Sequence, residues 1–216
     1  MTNDAPRSNR VGLYVAVGLA VAVVGLVVLW GAAGSGLFSP PRPKVEVPGV
    51  GSVDLRDAQR AVQTLEAAKD VDATDPEALK AYLPAAIAGF QRTELSTTTG
   101  GAAGVEGSAA EGKYAKGDAR LELQVVDIGG AGALLGMAAH LKASKETSTG
   151  YERVGKVDGR MTQEKYDRSS RHGEYSVVVG KRFMIHAEGD GVSMDELKAA
   201  VAAVPAAQLE GLAKAG

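Results

Sequence analysis

Residues Val11 to Trp30 read VGLYVAVGLAVAVVGLVVLW and contain no charged or strongly polar side chain. At about 1.5 Å of rise per residue, a helix of this length covers the roughly 30 Å hydrocarbon core of a bilayer. The run therefore predicts a membrane-spanning helix over 11–30. Tyr14 and Trp30 place amphipathic rings near the two interfaces, and Arg7 and Arg10 stand just before the apolar stretch. The run also exceeds the roughly 7–15 residues of a signal-peptide core. Gly31 and Ala33 are small enough for a signal peptidase to accept, so cleavage is the competing reading. The chain has no cysteine, which excludes lipid attachment through a lipobox thiol and any disulfide.

Orientation follows from the basic residues at the two ends of the span. Arg7 and Arg10 abut its start, whereas Arg42 and Lys44 lie further past its end. By the positive-inside rule this predicts residues 1–10 as a cytoplasmic tail, a single pass through a bacterial inner membrane, and the bulk of the chain outside the cytoplasm. Within the span, Gly18, Ala22 and Gly25 share one helix face. Small side chains there let two backbones approach, which makes a homodimer through this face a side expectation.

From Val45 onward there are 20 Lys and Arg against 25 Asp and Glu, so the region past the span is mildly acidic. Nucleic-acid binding relies on neutralising many phosphates with a basic surface, and nucleic acid is not an expected partner. The residues after the span suffice for one domain with a core of its own.

The chain after the span divides in two. Residues 31–52 carry Pro40, Pro41, Pro43 and Pro48 among glycines and read as a Pro/Gly-rich spacer, because proline fixes φ and removes amide donors. Residues 53–216 read as one soluble domain. Ser52 or Asp54 is placed to cap a first amphipathic helix reaching about Lys69, with Leu55, Ala58, Val62 and Leu65 at helical spacing. Asp75-Pro76 predicts a second, short helix that stops near Pro84.

The period then changes. Phe90 to Thr98 reads as a strand, and Gly100 to Ala110 as a loop or a weakly specified strand. Ala119 to Asp127 alternates Leu121, Leu123 and Val125 with Arg120, Glu122 and Gln124, which predicts one dry and one wet face. After Gly129-Gly130 a helix is expected from Ala131 to about Ser144. Tyr151–Val157 and Arg160–Tyr166 flank Asp158-Gly159, a strong hairpin signal. Glu174–Val179 and Arg182–Ala187 are joined through Gly180-Lys181. Ser193-Met194-Asp195-Glu196 has the form of a capping box opening a helix that Pro205 interrupts, with a short helix after it to Leu212. This order predicts an α+β domain in which helices pack on an antiparallel sheet.

The hairpin Glu174-Tyr175-Ser176-Val177-Val178-Val179-Gly180-Lys181-Arg182-Phe183-Met184-Ile185, running into the capped Ser193-Met194-Asp195-Glu196-Leu197, resembles the α/β sandwich domains of the PsbP, Mog1 and LpqN type. The resemblance covers at most residues 76–204, is one of layout, and carries over no functional residue. Such domains are mostly accessory or binding modules, so it implies a non-catalytic role.

No motif for nucleophilic catalysis is present: there is no cysteine, and no serine stands in a G-x-S-x-G elbow. His140, His172 and His186 lack zinc-ligand spacing, so neither a metal nor a cofactor is expected; His186 and Glu188 share a strand face and read as a surface pair. Gly129-Gly130-Ala131-Gly132 is not a phosphate-binding fingerprint and reads as a tight turn, with Asp127 placed to stabilise the following helix terminus. The one feature pointing to a ligand is a basic cluster, Arg160, Lys165, Arg168, Arg171, His172, Lys181 and Arg182, which would suit an anionic envelope polymer or lipid headgroups.

Together these readings predict a membrane-anchored extracytoplasmic binding or accessory domain that contacts another envelope component through the wet sheet face or the 167–173 loop. The alternative is a membrane-tethered hydrolase whose carboxylates are assembled only by the fold, since such pairs leave little trace in sequence.

Overall fold

The structure, a computed structural model, describes residues 44–47, 51–54, 63, 71–102, 105–129, 132 and 143–215. The expected span 11–30, with its Gly18, Ala22 and Gly25, lies outside the described residues. Among those described, no helix is long and apolar enough to cross a membrane.

Two strands stand within and just past the expected spacer. β1 (Lys44–Val47) and β2 (Gly51–Asp54) form a two-stranded antiparallel sheet in which Lys44 pairs with Asp54 and Val47 with Gly51. Ser52 and Asp54 are strand residues, and the helix that either was expected to cap begins outside the described residues. Gln63 is helical, and the rest of the first expected helix lies outside the described residues.

The main body is a nine-stranded antiparallel sheet in the order β3-β4-β5-β6-β11-β10-β9-β8-β7. Helix α1 (Pro76–Lys80) begins where expected: the Asp75 carboxylate accepts from the Glu77 amide at 3.0 Å, and Pro76 fills the first turn, where its missing N–H costs nothing. After it come β3 (Ala86–Ile87) and β4 (Phe90–Ala102), the latter longer than the strand read to Thr98. Of the two readings of the Gly/Ala-rich stretch, the strand is the one that residues 100–102 and 105–110 follow. They form the distal arms of a long hairpin between β4 and β5 (Val105–Lys116), with Gly100 opposite Gly107 and Ala102 opposite Val105. Small residues leave a strand's register weakly specified, which is why composition masks this pairing.

β6 (Ala119–Asp127) has the expected boundaries, but its wet face is only half wet: Gln124 and Val126 are buried along with Leu121, Leu123 and Val125. β7 (Ala143–Glu146) takes Ala143 and Ser144 into a strand, where the expected Ala131–Ser144 helix would still be running; of the rest of that expected helix only Gly132, which is helical, lies within the described residues. β8 (Gly150–Val157) and β9 (Arg160–Asp167) meet at Asp158 and Gly159, whose φ values of 50° and 78° are those of the tight turn expected there. β10 (His172–Val179) and β11 (Phe183–Asp190) complete the sheet. Ser193 and Glu196 form the expected reciprocal cap on α2 (Met194–Ala202), and after Pro205 comes α3 (Ala206–Ala215).

Among the described residues, α1, α2 and α3 share one face of the sheet. Leu79 of α1, Leu197 of α2 and Leu209 of α3 join Phe90, Tyr114, Leu123, Val179, Phe183 and Ile185 in the main core. Gly173 permits this packing: a Cβ there would lie 2.7 Å from Leu197 Cδ1 and 2.8 Å from the Tyr166 ring. A second, smaller cluster of Ala109, Val126, Ile128 and Met184, with Val178 against it, gathers apart from the main core.

Candidate functional site

The sheet face opposite the helices is ordered in rows, because residues two apart on a strand share a face and antiparallel register sets rows side by side. On β6, β11 and β10 the first row is Val126, Met184 and Val178; the second is Gln124, His186 and Ser176; the third is Glu122, Glu188 and Glu174; the fourth is Arg120, Asp190 and His172. Exposure rises along this series. Val126, Met184 and the whole second row are buried apart from the half-buried Val178, the glutamates are half-buried, and Arg120 and Asp190 are exposed.

The buried second row is satisfied by hydrogen bonds, as buried polar groups must be. Ser176 Oγ and His186 Nδ1 share a bond of 2.8 Å, and His186 Nε2 stands 3.5 Å from Glu188 Oε2. The Gln124 amide nitrogen donates to Glu122 Oε1 at 2.5 Å and to Glu111 Oε2 at 3.3 Å, bridging two carboxylates. His186 is only 2% exposed, so the expected surface pair with Glu188 is instead a buried imidazole beneath a half-buried carboxylate.

The third row continues across seven strands. From β4 to β8 it reads Glu94, Lys113, Glu122, Glu188, Glu174, Lys165 and Glu152, each directly opposite the next. Three adjacent glutamates at its centre are flanked by one lysine on each side. Lys113 reaches Glu94 at 3.3 Å and Glu111 at 3.7 Å, and Lys165 reaches Glu174 at 3.0 Å.

The carboxyls respond to these surroundings in opposite senses. Burial, reinforced by the charge of Glu122, pushes Glu111 up to about 7. Burial also raises Glu122, against the hydrogen bond from Gln124 and with the charge of Glu188. Glu188 itself is lowered, mainly by its contact with His186. A shallow cleft of about 340 Å³ opens at the exposed end of this face, lined by Lys113, Glu122, Glu188, Asp190, His172 and Arg120 among others.

The basic residues singled out by sequence do not gather into one patch. Arg160 lies at one end of β9 and Arg168 just beyond the other, about 26 Å away at strand rise. Arg168, Arg171 and His172 do meet at the β9–β10 turn, with Lys165 on the adjoining strand. Arg160, Lys181 and Arg182 sit at the opposite end. Most are held by carboxylates: Arg160 by Glu210 at 2.9 Å, Lys165 by Glu174, Arg168 by Glu146 at 2.8 Å, and His172 by Asp190 at 2.9 Å. Arg182 is turned inward onto the fully buried Asp127 at 2.9 Å. Arg171 and Lys181 occupy turn positions with φ of 54° and 57°.

The chain matches no known protein family, curated protein or solved structure. Its chemistry is therefore read from its own residues. Among the described residues, no group of three or more His, Asp or Glu is arranged to hold a metal ion. Gly132, which is helical, packs against the Lys181 carbonyl so closely that no Cβ fits, which gives that glycine a packing role. Asp127 accepts from the Gly129 amide at 2.8 Å and from Thr74 N at 2.8 Å, so it braces Gly129 and the segment before α1. His140 lies outside the described residues.

The central glutamates escaped the sequence reading because they come from three strands. Their signal was present in single strands, as the wet-side positions Glu122, Glu174 and Glu188, but only the register sets them side by side.

Proposed function

We propose that this protein is a membrane-anchored extracytoplasmic binding or accessory domain, and that its contact surface is the polar end of the sheet face opposite the helices. The observation that carries this reading is the row of five glutamates and two lysines across β4, β5, β6, β11, β10, β9 and β8. Like charges directly opposite each other on neighbouring strands are destabilising, and here Glu122, Glu188 and Glu174 are adjacent. A fold gains nothing from that arrangement, whereas a partner presenting ammonium or guanidinium groups relieves it. The apolar run 11–30 supports the anchor. The preferred partner is accordingly a basic segment of another envelope protein, not an anionic polymer.

The test is in-cell crosslinking of the full-length chain followed by affinity capture, comparing the native protein with Glu122→Gln/Glu188→Gln. Loss of a discrete captured protein in the double variant supports this face as the contact. Undiminished capture refutes it.

A second reading, a membrane-tethered hydrolase, is favoured by one observation: Glu111 and Glu122, bridged by Gln124, are carboxyls whose affinities for protons are both raised. A carboxyl held near 7 is suited to donate a proton at neutral pH. Turnover of an envelope glycan or peptide that is abolished by Glu111→Gln would establish it.

A further inference from the structure

The two edges of the nine-stranded sheet are built differently. β7 is four residues long and carries Lys145 and Glu146, and short charged edges resist pairing with other chains. The opposite edge is β4, thirteen residues long, whose outer side meets β3 only at Phe90 and Gln91. Beyond Gln91, no strand among the described residues lies on that side. Alternate residues of an antiparallel strand turn both N–H and C=O outward, so the Thr93–Ala102 edge offers a row of backbone donors and acceptors.

The devices that normally blunt such an edge are nearly missing from it. The segment TELSTTTGGA has no proline and no lysine, and its one charge, Glu94, is already engaged by Lys113 at 3.3 Å. A bulge does interrupt the register between Arg92 and Glu94, but it lies at the β3 end and leaves the rest of the strand regular.

We propose that this edge pairs with the same edge of a second copy of the chain, antiparallel, so that two sheets join into one. The segment is self-complementary. A two-fold axis through Thr97 sets Thr97 opposite Thr97, Ser96 opposite Thr98, Leu95 opposite Thr99 and Glu94 opposite Gly100. Cross-strand Thr–Thr and Thr–Ser pairs are favourable in sheets, and no like charges are opposed. The exposure of Thr93, Glu94 and Thr99 leaves the strand approachable. An anchor at 11–30 would add to this by confining copies to one membrane, which raises their effective concentration.

The absence of native cysteine makes the test direct. Thr97→Cys is introduced into the full-length chain and membranes are oxidised with copper phenanthroline. Directly opposite residues have Cβ atoms about 4.5–5.5 Å apart, close to disulfide range. The control is Val157→Cys, at a site 54% exposed on the β8–β9 hairpin, far from β4. The expected result is a disulfide-linked homodimer for Thr97→Cys at least tenfold above the control. Mixed membranes carrying Leu95→Cys and Thr99→Cys should crosslink more than either alone, which reads the register and guards against a fold defect in any one variant. Equal yields at Thr97 and Val157 overturn the proposal. So does crosslinking of Thr97→Cys to a different protein in place of itself.

Discussion

Arg182, in the turn between β10 and β11, places its guanidinium 2.9 Å from the carboxylate of Asp127 at the end of β6, and the same guanidinium donates to the Asp72 carbonyl at 2.7 Å. One ion pair thus ties the segment entering the domain to the centre of the sheet. Asp127 is fully buried, so a substitution that removes its charge leaves Arg182 without its partner in a confined place. Breaking a buried pair in this way costs about 3–5 kcal/mol. Asp127→Asn is expected to lower the melting temperature by several degrees, and Arg182→Met, which leaves the fully buried Asp127 carboxylate without its counter-ion, by at least as much. A melting temperature within a degree of the native protein's would show that the pair is not a brace.

The same residue sets the acid limb of stability. Burial works against the Asp127 charge, but hydrogen bonds from Arg182, Thr74 and Gly129 win and hold the carboxyl below its ordinary value of 3.8. A depressed carboxyl contributes stability that is present above the unfolded value and lost as pH falls through the folded one. Thermal melts are therefore expected to decline steeply below about pH 4, and less steeply in Asp127→Asn.

Glu111 acts in the opposite sense. Its carboxyl is raised from 4.5 to about 7, first by burial and then by the charge of Glu122. The folded state then binds a proton that the unfolded state has released, so stability falls as pH rises from the ordinary value to the raised one. The limiting slope is about 1.4 kcal/mol per pH unit for one such group. Melts of the native protein should decline between roughly pH 5 and 7, and Glu111→Gln, which keeps the shape and has nothing to ionise, should flatten that window. An unchanged profile in the variant would assign the slope elsewhere.

How much of this was legible in the sequence depends on whether the signal was local. Asp75-Pro76, Asp158-Gly159 and Ser193-Met194-Asp195-Glu196 act within four residues, and the helix start, hairpin and cap stand where they were read. The start of β5 stayed undecided between loop and strand because Gly107, Ala109 and Ala110 have little side chain with which to show a period of two; Ala109 and Ala110 are strand residues because β4 and β6 pair with them on both sides, and Gly107 because β4 pairs with it. Gln124 was read as wet from alternation alone, and is buried because its row lies on the inner part of the face, beside His186. The basic cluster looked continuous along the chain, yet the extended length of β9 sets Arg160 and Arg168 at opposite ends of the sheet. The carboxylate row could not be read in advance, since each member is two or more strands from most of the others in sequence.

Ser176 tests whether the buried second row is structural. Its hydroxyl shares a 2.8 Å hydrogen bond with His186 Nδ1, and both residues are buried. Ser176→Ala strands a ring nitrogen without a partner, which costs roughly 1–3 kcal/mol. Chemical denaturation should show that loss with an unchanged m-value, because the surface exposed on unfolding is the same. A loss below about 0.5 kcal/mol would mean that His186 finds another partner.

Glu122 gives the sharpest separation of stability from function. It faces Glu188 directly across the β6–β11 ladder, and burial together with that neighbouring charge raises its own carboxyl, against the hydrogen bond from Gln124. Above the raised value the folded state holds a charge it would be better without. Glu122→Gln keeps an oxygen to accept from Gln124 and removes the repulsion, so it is expected to raise the melting temperature at pH 8 and to change it less as pH falls toward the ordinary value of 4.5. It should also bring the titration of Glu111 down from about 7, since Glu122 is one of the charges that raises it. Carbon-detected NMR of the glutamate carboxyls reads that shift directly. Residues that cost the fold stability are commonly those retained for binding or catalysis, so under the proposed function the same variant should capture less of any protein that the native chain captures, while melting higher. A variant that melts lower than the native protein at pH 8 would show that Glu122 is a structural member of the row, and would remove the argument for this face as the contact.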